Sequence, residues 1–257
     1  MEKTLYLQVS PEEISKYVVL CGDPGRVEKI VTKLNNCKKI ASNREYLTYT
    51  GFYKGIKITA TSTGIGAPSA AIAIEEMYNC GMEVAVRVGT IMGLKDDLLG
   101  KLLIPSAVMK EDGTSPTYAP KTYPSCASYE LVEIMNESSK EYGLEYNNGI
   151  ICSMDGFYSQ MKESKLSNKM KNNVNKTFEN LKKYNISGID MESSVILTLT
   201  NLMGIKGCIV TMTTVLENLN DFLKGEERTK AEDDLINVVL NGIVKYAKIE
   251  EEKNELV

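Results

Sequence analysis

The stretch VVLCGDPGRVEKI, Val18 to Ile30, decides the fold. An apolar run of strand length breaks at Gly22-Asp23-Pro24-Gly25, and Arg26 opens a segment whose apolar residues recur at helical spacing. A buried strand that turns on two glycines and a proline into a helix is the first half of a βα unit. The turn itself has two readings. Glycine supplies the positive φ that a strand-to-helix turn needs, and Arg26 is then simply solvated. In the other reading the backbone N–H groups at the helix start and the forked guanidinium hold a phosphate.

The same alternation continues outward along the chain. Strand-length apolar runs IKITATSTGIG (56–66), VAVRVGT (84–90), KLLIPSAVM (101–109), GIICSMDGF (149–157) and KGCIVTMTTV (206–215) are expected as strands. Between them RVEKIVTKLNN (26–36), APSAAIAIEEMYNCG (67–81), ASYELVEIMNESSKEYG (127–143), SKLSNKMKNNVNKTFENLKKY (164–184) and DMESSVILTLTNLMG (190–204) are expected as helices. Gly204 closes the last of these as a C-cap. A final helix, KAEDDLINVVLNGIVKYAK (230–248), leads into a charged tail over 247–257. Apolar strands interleaved with helices predict an α/β fold: a single domain over 1–257, three layers α/β/α, with a central mixed, mostly parallel sheet. Ligands of such sheets sit beyond the carboxyl ends of the strands. That rule gathers Gly22–Arg26, Thr63–Gly66, Arg87–Thr90, Asp155–Phe157 and Thr213–Val215 on one rim. The turn-rich loop EDGTSPTYAPKTYPSC (111–126) fits a site border or a subunit contact.

Composition narrows the chemistry. The chain has 257 residues, 43% hydrophobic and 25% charged, with a formal net charge of −4. A mildly acidic balance gives no electrostatic footprint for nucleic acid. The N-terminus lacks the apolar core of a signal peptide, and no apolar run is long enough to span a bilayer, so no membrane partner and a cytoplasmic location are expected. Six cysteines are scattered singly, which suits reduced thiols rather than disulfides or a zinc site. There is no histidine. Ser–His–Asp and Cys–His devices and histidine-ligated metals are thereby excluded.

Individual residues carry candidate roles. Arg87 is a charge inside an otherwise apolar strand, which demands either a structural ion pair or a bound anion; Thr90, three residues on, can add a hydroxyl donor. Arg44, in the polar turn ASNREY, is a solvated arginine or a ligand group. Asp190 suits the N-terminal dipole of the helix that follows it. Glu192 heads into a buried helix, where a carboxylate can accept from the vicinal hydroxyls of a ribose, with Met191 as an apolar wall beside it. Phe157, one of four phenylalanines, is core or a stacking face for a heterocycle.

In series, YLQVSPEEI, GDPGRVEKI, ASNREY, STGIGAPSAAIAIEEM, VRVGT, DGFYS, DMESSVIL and VTMTTV resemble the nucleoside phosphorylase family that contains uridine phosphorylase and the hexameric bacterial purine nucleoside phosphorylases. The resemblance covers most of the chain in the family's order. It implies phosphate-dependent cleavage of an N-glycosidic bond, with inorganic phosphate as co-substrate and no cofactor required. It makes Gly22, Arg26, Arg87 and Thr90 phosphate-binding, joined by Arg44 from a neighbouring subunit. Met191 and Glu192 become ribose-binding, Phe157, Gln160 and Val215 base-binding, and Arg26, Arg87 and Glu192 the catalytic groups. Shared sites imply a homodimer or a hexamer of three dimers. Glu45, Ile65 and Ser69 match the positions at which uridine phosphorylases hold a structural potassium ion between subunits.

The sequence departs from the family in three places. Tyr6 stands where the family places a histidine that reaches the neighbour's ribose. Ile91 and Met92 intervene before Gly93, where the family has a small residue and glycine. The base readers differ too: Thr214-Val215 replaces the Ser-Asp pair of purine enzymes, while the glutamine and arginine of uridine enzymes are missing, with Gln160 one place early, Met161 next to it, and Glu217 in place of a later arginine. Val215 gives a slight preference for uridine or another pyrimidine nucleoside. The alternatives are a purine nucleoside phosphorylase, a catalytically impaired nucleoside- or phosphate-binding relative, and a hydrolase of the same fold that cleaves nucleosides with water, against which the retained phosphate arginines argue.

Overall fold

Tyr17–Cys21 form β1, buried along its whole length, and Pro24–Val31 form α1. The Asp23 side chain caps this helix by accepting from the Gly25 N–H at 2.8 Å, and Pro24 occupies its first turn, where its missing N–H costs nothing. A computed structural model describes residues 2–255. The helix expected to run to Asn36 stops at Val31, and Asn35–Asn43 form β2, paired antiparallel with β3 (Tyr46–Tyr53). β4 (Ile56–Ser62), α2 (Ala67–Asn79) and β5 (Val84–Gly93) follow. The run KLLIPSAVM is not one strand: Pro105 separates β6 (Leu102–Leu103) from β7 (Val108–Glu111), because proline has no N–H for the ladder.

The long loop contains a single helical turn, α3 (Ser115–Tyr118), before α4 (Tyr129–Glu141), β8 (Tyr146–Asn147) and β9 (Ile151–Met154). The Lys/Asn-rich stretch is two helices, α5 (Lys165–Lys169) and α6 (Val174–Lys183), the second capped by the Asn173 side chain. β10 (Gly188–Asp190), α7 (Ser193–Met203) and β11 (Lys206–Leu216) complete the core, and Gly204 ends α7 in the left-handed conformation at φ 69°. α8 runs from Gly225 to Glu255. The charged segment read as a tail from 247 is therefore a continuation of that helix; residues 256 and 257 lie outside the described residues.

The strands form one 11-stranded sheet with β2-β3-β4-β1-β5-β10-β9-β7 in order and β11 on the other side of β5. β1 runs parallel to β4 and β5, and β11 runs parallel to β5, while the β2–β3–β4 meander and the β5–β10 pair are antiparallel, so the sheet is mixed. Side-chain alternation splits the core into two layers. Val19 and Cys21 of β1 and Val84, Val86 and Val88 of β5 pack with α1, α4 and α8, while Val18, Leu20 and Ala85 pack with α2 and α7. Among the described residues no helix is long and apolar enough to cross a membrane, and all six cysteines are unpaired.

Candidate active site

The sheet changes partners at β5, and the site opens there. β1 pairs with β5 as far as Arg87, and β10 takes over that edge at Met92 and Gly93. Between these registers β5 lacks a neighbour on that edge, and a cavity of about 730 Å³ lies beyond the end of β1. This is the crevice that strand topology predicts for a ligand. Each of the five stretches gathered from the sequence contributes to it: Gly22, Asp23, Pro24 and Arg26, Gly64 and Ile65, Arg87, Gly89 and Thr90, Phe157, and Thr214 with Val215 line it, whereas Thr63, Gly66, Asp155 and Thr213 do not; Ile91 and Met92 add to the wall.

Arg87 belongs to the β5 register that faces α2 and α7, so its guanidinium enters the layer beside the start of α7. Nε donates to Asp190 Oδ2 at 3.1 Å and Nη2 to Glu192 Oε2 at 2.5 Å. All three side chains are buried, with Arg87 only 4% exposed. Asp190, read from the sequence as serving the helix dipole, does accept from the Ser193 N–H, and it also orients Arg87 and takes the Ser153 hydroxyl at 2.6 Å. Gly89 makes room for the arginine: a Cβ there would lie 3.1 Å from Cζ and Nη2 of Arg87. Burial opposes the Arg87 charge, but Glu192 and Asp190 outweigh it and hold the guanidinium above its ordinary range. Burial likewise pushes the Glu192 carboxyl up, against the pull of Arg87. The second Glu192 oxygen accepts from the Gly66 N–H at 2.7 Å, at a glycine whose φ of 99° admits few other residues.

Arg26 is the other buried guanidinium, 6% exposed. Among the described residues its nearest carboxylate is Glu232 of α8, at 3.9 Å, and its Nε is buried with no partner. Glu232 is engaged more closely by Lys29, at 2.5 Å, and by Arg228, at 3.2 Å. Arg228, at the start of α8, also lines the cavity. The sequence offered no local signal for it, since a long loop separates it from β11. Thr214 reaches the wall by a different device. The β11 register skips from Thr213 opposite Ile91 to Val215 opposite Met92, leaving Thr214 as the bulged residue.

Of the candidate residues, Gly22, Arg26, Arg87, Thr90, Met191, Glu192, Phe157 and Val215 line this cavity, together with Glu45 and Ile65. Four others lie elsewhere in the same chain. Ser69 is behind the rim, donating to Glu45 Oε1 at 3.0 Å. Gln160 is turned back on its own loop, where Oε1 accepts from the Gly156 N–H at 2.9 Å. Arg44, exposed and left-handed at φ 53°, lies 5.8 Å from the centre of the Tyr6 ring. Tyr6 belongs to an N-terminal arm clamped by Glu76, which accepts its N–H at 2.9 Å and that of Leu7 at 2.7 Å.

The chain matches the sequence profile of the family described as the phosphorylase superfamily over residues 16–242. It belongs to that superfamily. A uridine phosphorylase of Thermococcus kodakarensis is 34% identical over 227 residues, covering 88% of this chain and 82% of its relative. A guanosine phosphorylase of Halorubrum lacusprofundi is 31% identical, covering 82% of this chain and 83% of the other. The crystal structure of a Vibrio fischeri uridine phosphorylase superposes with a TM-score of 0.85 at 31% identity, over 95% of this chain and 98% of that one. Arg87 and Glu192, bonded directly to each other, both line the cavity. Ile91 and Met92, whose bulk set them apart in the sequence, extend β5 and form cavity wall.

Proposed function

We propose that this phosphorylase cleaves nucleosides with inorganic phosphate, giving a free base and (deoxy)ribose 1-phosphate, with uridine or another pyrimidine nucleoside slightly preferred. One observation carries the reading: two buried guanidinium groups, one with an unpartnered Nε, border the same cavity as a buried carboxylate already bonded to the other. Uncompensated buried donors are costly, and a phosphate anion is the ligand that satisfies them.

In this reading Arg26, Arg87, Thr90 and the backbone at Gly22 hold the phosphate. Glu192 accepts from the ribose hydroxyls, with Met191 as the wall beneath the sugar. A phosphate oxygen attacks C1′, the bond from C1′ to the base nitrogen breaks, and its electron pair leaves with the base, which takes up a proton. The nucleophile arrives charged and needs no base to deprotonate it, which suits a chain without histidine. The developing positive charge on the sugar meets the phosphate anion on one side and the Glu192 carboxylate on the other. Orientation and fixed electrostatics then supply most of the rate enhancement.

Arg44 and Tyr6 lie off their own chain's cavity, which supports their serving a second copy's site, in a homodimer or a hexamer built of three dimers. The Glu45 carboxylate, the Ser69 hydroxyl and the backbone at Ile65 offer the hard oxygen donors that suit a potassium ion at that boundary.

Base release from nucleosides with and without phosphate tests the reaction: strict dependence on phosphate is expected, and equal release without it indicates hydrolysis by water instead. Mixing Arg87→Met with Arg44→Ala subunits tests the shared site. Random pairing leaves one intact site in half of the dimers, so about a quarter of wild-type turnover should return. No recovery means that Arg44 serves its own chain.

A further inference from the structure

The half of the cavity away from the arginines is walled by Met92, Phe157, Met161, Ile189, Met191 and Val215. All six belong to one apolar cluster, and half of them are methionines. Among the described residues, the neighbouring groups of the types that read a base edge are engaged away from this wall. Gln160 spends its amide oxygen on the Gly156 N–H, while Met161 beside it faces the cavity. Glu217 is bonded to Lys182 of α6 and does not line the wall. Arg228 lines the cavity too, but its Nε donates to the same Glu232 oxygen that Arg26 approaches, which places it with the arginine half. Thr214, beside Val215, also lines the cavity, and a hydroxyl rotates to donate or accept as the partner requires.

We propose that the base half of the site is tolerant, taking purine as well as pyrimidine nucleosides and separating them by shape alone. The inference rests on the phosphorolysis reading above and specifies its substrate class. Discrimination in an apolar pocket is small because one group more or less changes binding only modestly, by about 10–200-fold, whereas a wall with fixed hydrogen-bonding groups rejects the wrong partner by roughly 10⁴–10⁵. Methionine adds to the tolerance: its unbranched thioether refills irregular space and gives favourable contacts with an aromatic ring. A cavity of about 730 Å³ also leaves room for the larger bicyclic base.

The test is kcat/KM for uridine, thymidine, inosine and guanosine at saturating phosphate. All four should be cleaved, within a spread below about 10³, with uridine modestly ahead. A larger spread, or cleavage of one base class only, overturns the proposal. The phosphorolysis reading is judged separately, by whether release needs phosphate. If no nucleoside is cleaved, calorimetric binding of the same four in the presence of phosphate gives the spread directly. Met161→Gln supplies an independent arm, since it places one fixed amide on the wall. The variant should widen the spread at least about tenfold, and an unchanged spread removes Met161 from the base site and the proposal with it.

Discussion

Replacing Arg87 by methionine keeps most of the side-chain volume and removes the one cation that both Asp190 and Glu192 contact. Two carboxylates, each 5% exposed or less, then remain in the layer between β5 and α7 without a counter-charge. Breaking a buried pair of this kind costs about 3–5 kcal/mol. For a chain of this size that corresponds to a melting temperature lower by roughly 6–20 °C. The loss should depend on pH in a definite direction. Burial already pushes the Glu192 carboxyl above its ordinary value of 4.5, and the opposing pull of Arg87 is gone in the variant. A carboxyl raised in the folded state contributes fully below its unfolded value and loses that contribution as pH climbs through the folded one. The deficit against wild type should therefore be small near pH 4.5 and largest at pH 8. Thermal unfolding of both proteins across that range measures it, and phosphate-dependent base release should be lost throughout. Adding Glu192→Gln to the variant should restore part of the stability at pH 8, because one of the stranded charges disappears. A deficit that is flat with pH, or a double variant no more stable than the single one, would refute the charge accounting.

Other substitutions read different parts of the site. Glu192→Gln should lower kcat about 100-fold with little change in nucleoside KM, since the carboxylate acts on charge that develops in the transition state; steady-state kinetics with saturating phosphate decide it. Gly89→Ala brings a Cβ to 3.1 Å from the Arg87 guanidinium, so that group must shift by a few tenths of an ångström. Phosphate KM should rise about tenfold in consequence, as titration of phosphate at fixed nucleoside will show. Glu232→Gln probes the α8 hub. Burial works to raise the Glu232 carboxyl, but Lys29, Arg26 and Arg228 together hold it below its usual 4.5. A depressed carboxyl stabilises above its unfolded value and loses that contribution as pH falls through the folded one, so wild type should melt higher than the variant at pH 7 and the gap should close below pH 4.5.

What was legible in the sequence follows from where apolar context makes a residue conspicuous. Arg87 stands out because valines flank it, Gly22–Arg26 because glycine and proline interrupt a buried strand, and Glu192 because it leads into a helix buried on most faces. The errors in the fold have the same origin. β2 is exposed or half-buried at every position, so it has no apolar alternation to separate it from the helix before it. β5 continues past Thr90 because Ile91 and Met92 find partners on β11, a pairing set by tertiary register. Asp190 was legible as a cap but not as the residue that orients Arg87, since that contact joins positions 103 residues apart.

The proposed base half of the site left the least trace, and its chemistry explains why. The groups proposed to grip phosphate and ribose include three charged side chains, and a charge in an apolar setting is visible in one dimension. Met92, Met161, Met191 and Val215 look like any other core residues, because as side chains they are core residues: they pack in the same cluster as Ile186 and Leu181, and only the cavity beside them gives them a second role. Gln160 shows the converse. It is the residue type that reads a base, one place away from the wall, yet its amide is consumed in closing the turn at Gly156. A wall without a fixed directional partner makes no demand on sequence pattern, and under the proposal above it makes none on the donor and acceptor pattern of a base lying against it.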